Sequence, residues 1–131
     1  MIHVDKLTKD AGAQLYPWMD ALILYVQSNQ PDLTNRQLAL MLIVYLTPGP
    51  HTVRGLAARL QVSKPVITRA LNSLSALGYL RRQRDEADLR NVLVQHTTSG
   101  QDFLLAFAGL IDRANDSATN DNPGRIAARD Q

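Results

Sequence analysis

Six residues between positions 64 and 73 have the types and the spacing to read a nucleic acid. Lys64, Pro65, Thr68, Arg69, Asn72 and Ser73 recur at helical intervals opposite an apolar stripe of Ile67, Ala70, Leu71, Leu74 and Leu77. The apolar side would dock such a helix on a scaffold, leaving the polar side to offer donors of suitable reach. In a DNA major groove Arg69 could pair bidentately with guanine and Asn72 with adenine, each good pair being worth about 1–3 kcal/mol of discrimination. Ser63 stands just before the run as its N-cap. The plainer account of the same face is a solvated side of an ordinary helical hairpin.

A second cluster follows at once. Residues 79–83 and 91–95 are two strand-like runs around a charged tip, the pattern of a β-hairpin with a loop of several residues. Arg81, Arg82, Arg84 and Arg90 crowd this ribbon. Arginines so placed could follow phosphates or enter a minor groove. Asp85, Glu86 and Asp88 lie among them, and anions beside DNA are unfavourable unless they hold cations in place. Asp88 is therefore read as a brace for the loop. Charge on an edge hairpin also guards against aggregation, which is the plainer account here. The nucleic-acid site expected from the sequence is Ser63, Lys64, Pro65, Thr68, Arg69, Asn72, Ser73, Arg82, Arg84, Asp88 and Arg90.

Charge along the chain supports that placement. Residues 1–53 sum to −1, residues 54–90 to +5 and residues 91–131 to −2, so the basic character is confined to the middle. Arginine outnumbers lysine 11 to 3, which favours forked recognition of phosphate or guanine over mere solubility.

The elements that must position these residues are mostly helical. Residues 1–13 read as a flexible arm. A helix apolar on nearly every side runs from Tyr16 to Val26, with Pro17 in its first turn. Thr34-Asn35-Arg36-Gln37 is a capping box opening a second helix, which Thr47-Pro48-Gly49-Pro50 stops. A short helix covers residues 53–60, and Gln61-Val62-Ser63 turns the chain into the reading helix. Gly78 ends that helix. A last helix from Thr97 or Thr98 carries Phe103, Phe107, Leu110, Ile111 and Ala114 on one face, and residues 115–131 read as a disordered tail. The fold class expected is mainly α with a small β-hairpin wing, a winged helix-turn-helix over residues 14–114. Residues 52–97 are expected to bind DNA, and residues 14–29 and 98–114 to supply dimerisation helices. Leu15, Trp18, Leu22, Tyr25, Phe103, Phe107 and Leu110 are the expected dimer contacts.

Residues 33–100 resemble the MarR family of bacterial winged-helix transcription regulators. The matching pieces are Leu-Thr-Asn-Arg-Gln at 33–37, Leu-Ala-Ala-Arg-Leu at 56–60, Val-Ser-Lys-Pro-Val-Ile-Thr-Arg at 62–69 and Leu-Gly-Tyr-Leu at 77–80. Asp85, Asp88-Leu89-Arg90 and Val92-Leu93-Val94 follow, then Thr97 and Gly100. The resemblance implies a homodimer on a palindromic site of double-stranded DNA. The recognition helix would lie in the major groove and the wing arginine in the minor groove, with a small anionic or phenolic molecule as effector. Three departures stand out. The family's wing reads Asp-Arg-Arg where this chain has Asp88-Leu89-Arg90, His96 replaces a buried leucine, and one C-terminal helix stands where the family has two long ones.

Other chemistry finds little support. No cysteine is present, and His3, His51 and His96 lack metal-ligand spacing, so neither a metal nor a cofactor is expected. No activated nucleophile, glycine-rich phosphate loop or carboxylate pair marks an enzyme. The opening residues lack a secretory layout and no apolar run is long enough for a bilayer, so a cytoplasmic protein without membrane contact is expected. Two alternatives remain for the same fold: a protein–protein interaction module, and a nonspecific architectural DNA-binding protein.

Overall fold

The computed structural model describes residues 4–121. Its elements in chain order are α1 (Val4–Gln27), α2 (Asn35–Leu46), β1 (His51–Thr52), α3 (Val53–Leu60), α4 (Lys64–Ala76), β2 (Leu80–Arg84), β3 (Val92–His96) and α5 (Thr98–Asp121). Five helices and one small antiparallel sheet, of strand order β1-β3-β2, among the described residues give the expected winged helix-turn-helix class. The chain divides into two compact units, one of Met1–Asp32 with Ala106–Gln131 and one of Leu33–Leu105.

The Leu33–Leu105 unit is built by local signals that agree with one another. Thr34 caps α2 reciprocally, its hydroxyl accepting from the Gln37 N–H at 3.1 Å while the Gln37 amide oxygen accepts from the Thr34 N–H at 2.9 Å. At the far end the Thr47 hydroxyl donates to the Ile43 carbonyl at 2.6 Å, and Pro48 and Pro50 follow. Thr52 caps α3 through the Gly55 N–H at 3.0 Å. Gln61 then takes a left-handed conformation (φ 55°), a cost of about 1–2 kcal/mol for a residue with a Cβ, and the Val62 N–H closes the turn on the Ala57 carbonyl. The core of this unit is the seam of α2 with α4: Leu40, Met41, Val44, Ile67, Leu71 and Leu74 have no exposed surface. Each such side chain contributes about 1.5–3 kcal/mol by leaving water.

Gly78 (φ 77°) ends α4 as expected, and the bonding shows why the wing follows so directly. The Tyr79 N–H reaches back to the Leu74 carbonyl and the Gly78 N–H to the Ser75 carbonyl, both at 2.9 Å, a Schellman closure. Leu80 is thereby delivered into β2, where it pairs with His96 of β3. β1, only two residues long, adds His51↔Val94 and Thr52↔Leu93 on the other side of β3. The sequence reading has no counterpart for it, because two residues cannot display an alternation.

Where α2, β2, β3 and α5 converge, Tyr45 ties four chain segments together. Its hydroxyl donates to the Tyr79 carbonyl at 2.7 Å and accepts from the Thr97 N–H at 3.0 Å. The Thr97 hydroxyl donates to the Gly78 carbonyl and accepts from the Gly100 N–H. His96 stacks on the Tyr45 ring at 4.3 Å and its Nε2 donates to the Val44 carbonyl at 2.6 Å, so this strand-end histidine is held by its ring as well as its backbone. A Cβ on Gly100 would fall on the Tyr45 hydroxyl and the Tyr79 carbonyl. Only glycine fits.

The other unit corrects the sequence reading at both ends. α1 begins at Val4, so residues 4–13 are helix where a flexible arm is expected; residues 1–3 of that arm lie outside the described residues. Leu7, Ala11, Leu15, Trp18 and Leu22 keep three- and four-residue spacing, so the apolar stripe starts more than two turns before Tyr16. Pro17 consequently lies inside the helix rather than in its first turn, with no N–H to give the carbonyl four residues back. α5 likewise continues through Asp121, taking in residues 115–121 of the expected tail, while residues 122–131 lie outside the described residues. Helical hydrogen bonding carries on there without an apolar face. Within this unit Tyr25 is buried, its hydroxyl donating to the Pro31 carbonyl and its ring meeting Phe107 edge-on at 5.3 Å.

Candidate nucleic-acid interface

The reading helix is α4. Burial of Ile67, Ala70, Leu71 and Leu74 fixes its rotation, so Lys64, Pro65, Arg69, Asn72 and Ser73 are exposed and Thr68 half-buried. Lys64, Pro65, Thr68, Arg69 and Asn72 line one shallow open concavity of about 460 Å³. Two members of the expected site behave differently. Ser63 occupies the N-cap position with extended backbone but its hydroxyl makes no capping bond, Pro65 having already set the first turn. The Ser73 hydroxyl turns back to the Arg69 carbonyl at 3.4 Å, a long contact, and Ser73 does not line the concavity. Among the described residues no carboxylate pairs with Lys64 or Arg69, so their charge stands open to an anionic partner.

The wing is the β2–β3 ribbon. Strand alternation puts Arg82 and Arg84 on the same face as Leu80, beyond the point where the core ends, and Arg81 on the opposite face. There the Arg81 Nη2 donates to the cross-strand Gln95 Oε1 at 2.9 Å. The Asp85 N–H bonds the Asn91 carbonyl at 3.1 Å, and the Asp85 carboxylate accepts from the Ala87 N–H at 2.9 Å. Asp88 is the centre of the loop. Its Oδ1 accepts from the Arg90 Nε at 3.0 Å and the Arg90 backbone N–H at 3.1 Å, while its Oδ2 accepts from Arg90 Nη2 at 3.0 Å. The side-chain hydrogen bonds from Arg90, then its backbone bond, and at longer range the Arg54 charge hold the Asp88 carboxyl below its ordinary value; Asp88 in turn raises the Arg90 guanidinium. The aspartate expected as a brace has the geometry of one.

Arg54 was not singled out by motif. It is exposed in the first turn of α3, and its charge helps to hold the Asp88 carboxyl below its ordinary value. The sequence signal for it lies in the charge count alone. The expected dimer contacts separate into two groups. Leu15, Trp18 and Leu22 are 47%, 68% and 53% exposed. Tyr25 and Phe103, by contrast, are buried in the chain's own fold, Phe103 stacked on Tyr79 at 4.8 Å, and Phe107 and Leu110 are half-buried. Those two rings serve the protomer's packing.

Comparison with known proteins bears on this arrangement directly. The model of the MarR family matches residues 32–91, the stretch from α2 to the wing tip. The transcriptional regulator HosA of Escherichia coli is 30% identical over 105 residues, covering 80% of this chain and 74% of HosA. The chain belongs to the MarR family. It is a DNA-binding transcription regulator, and not an enzyme. Solved structures agree in fold. A single-residue variant of MepR from S. aureus superposes with a TM-score of 0.74 at 20% identity, over 98% of this chain and 91% of that one. The S. aureus MepR–DNA complex gives 0.64 at 20% identity over 99% and 100%. A crystal structure of MarR gives 0.59 at 22% identity over 98% and 91%. No helix among the described residues of this MarR-family chain is long and apolar enough to cross a membrane.

Proposed function

We propose that this MarR-family regulator binds a palindromic operator as a homodimer, α4 reading the major groove and the wing entering the adjacent minor groove. The observation that carries this reading is the outward face of α4, where Lys64, Thr68, Arg69 and Asn72 line one open concavity and no carboxylate among the described residues partners the cations. Arg69 pairs with guanine, Asn72 with adenine, and Lys64, Arg54, Arg82 and Arg84 contact phosphates. Arg90, pre-positioned by Asp88, probes the minor groove. The exposed apolar side chains of α1, centred on Trp18 and Leu22, provide the contact with the second copy. A DNA-binding regulator of this kind works in the cytoplasm. A small anionic or phenolic effector suits a hollow of about 270 Å³ walled by Ile43, Pro48, Pro50 and Leu56, with Arg59 at its rim.

Selection of bound duplexes from a random pool tests the reading, reporting motif and symmetry together. Arg69→Ala should relax base preference at one position per half-site, and Arg90→Ala should weaken binding with a smaller dependence on salt. If both variants select and bind the same duplexes as the wild type, the residue assignment is wrong.

A further inference from the structure

The wing loop returns to β3 through a four-residue turn, closed by the Asn91 N–H on the Asp88 carbonyl at 2.9 Å, with Leu89 and Arg90 at its two central positions. Asp88 and Arg90 are turned toward each other by the three hydrogen bonds already described. Leu89 has no such engagement and stands 63% exposed. A lone exposed leucine is unremarkable on most of a protein's surface. This one lies in the loop of the ribbon that carries Arg81, Arg82, Arg84 and Arg90, side chains able to draw a phosphate backbone toward it.

We propose that Leu89 is a specificity-determining residue, seated against the floor and sugar walls of the minor groove and discriminating against G·C pairs in the operator flank. The inference rests on the proposed placement of the wing in that groove. An A·T pair presents only acceptors there, whereas a G·C pair adds the guanine N2 amino donor. A leucine has no acceptor for that amino group. Pressed over a G·C pair it strips the donor of water and pairs it with nothing, and the projecting group holds the methyls off the floor. Over A·T the groove is narrow and its deoxyribose carbons close on an inserted apolar side chain. Arg90, with the N–H groups that Asp88 does not use, serves the acceptors beside it. Leu89 thus reads by exclusion where Arg90 reads by donation.

The test uses the intact protein and a duplex selected from the random pool, with the pair under the wing made A·T, G·C or inosine·C. Inosine lacks only the N2 amino group, so the major groove is unchanged. The wild type should bind the G·C duplex about tenfold more weakly than the A·T duplex, with inosine·C restoring most of the loss. Leu89→Ala should reduce the G·C-to-inosine·C ratio to about twofold while leaving the salt dependence unchanged, since no charge is altered. A wild type indifferent to inosine, or an alanine variant that keeps the full ratio, overturns the role of Leu89. Arg90→Ala separates the two levels. If it weakens binding and lowers the salt slope while the Leu89 result is negative, only this inference fails. If it leaves every duplex bound as before, the wing is not on the DNA, and both readings fail together.

Discussion

At the scale of single residues, the wing turns on one carboxylate. Asp88 is exposed enough to be well solvated, yet three hydrogen bonds from one arginine hold its carboxyl below the ordinary value of 3.8. A depressed carboxylate stabilises its surroundings above the unfolded pKa, and that contribution is lost only as pH falls through the lower folded value. The brace is therefore complete throughout the neutral range. Carboxyl chemical shifts followed by NMR should show Asp88 titrating below pH 3.8, and Arg90→Gln should return the midpoint toward that figure. An unshifted midpoint in the wild type would mean that the Asp88–Arg90 geometry does not persist in solution. Such a role is legible in sequence because an acid among arginines at a hairpin tip has few other uses. Arg54 is not legible in the same way, since its closeness to Asp88 depends on how α3 meets the wing.

At the scale of elements, the sequence is most readable where side chain and backbone signals coincide. Thr34 with Gln37, Gly78 after Leu77, and the stripe from Ile67 to Leu74 each specify a boundary or a face, and α2, α4 and the wing appear accordingly. It is least readable where an element lacks a periodic face. The two residues of β1 and the polar end of α5 are of that kind, while the first turns of α1 carry a stripe of only one apolar side chain per turn among Lys6, Thr8, Lys9 and Asp10. Gly100 shows a third situation: its place in the pattern is visible, but its reason is tertiary. Alanine in its place would gain about 1 kcal/mol of helix propensity in α5. Against that, the new methyl displaces the Tyr45 hydroxyl and the Tyr79 carbonyl, at about 1–3 kcal/mol of overpacking plus about 1 kcal/mol for a lost hydrogen bond. The clash prevails. Gly100→Ala should lower stability by about 1–3 kcal/mol in urea unfolding, and an unchanged or raised midpoint would refute the crowding.

At the scale of the whole molecule, the open question in the sequence is how two copies meet. The composition of α1 points to a partner, and the proposed contact draws on side chains that the protomer leaves uncovered, Trp18 and Leu22 among them. Replacing both by serine should convert the protein to a monomer in sedimentation at micromolar concentration. Affinity for a palindrome should fall much further than affinity for a half-site. A double variant that still sediments as a dimer would move the interface elsewhere.

The Tyr45 hydroxyl has a consequence for the order in which the molecule assembles. It joins residues 52 positions apart, to Thr97, and 34 apart, to Tyr79. Closing loops of that length before other contacts exist is entropically unfavourable, whereas the helix caps and the hairpin close over a few residues. This junction should therefore form after the rate-limiting barrier and act as a latch on the finished fold. In chevron kinetics Tyr45→Phe is expected to accelerate unfolding by about the full equilibrium loss and leave the refolding limb nearly unmoved. Lifetime of the native state, more than speed of reaching it, is then what that one oxygen atom governs.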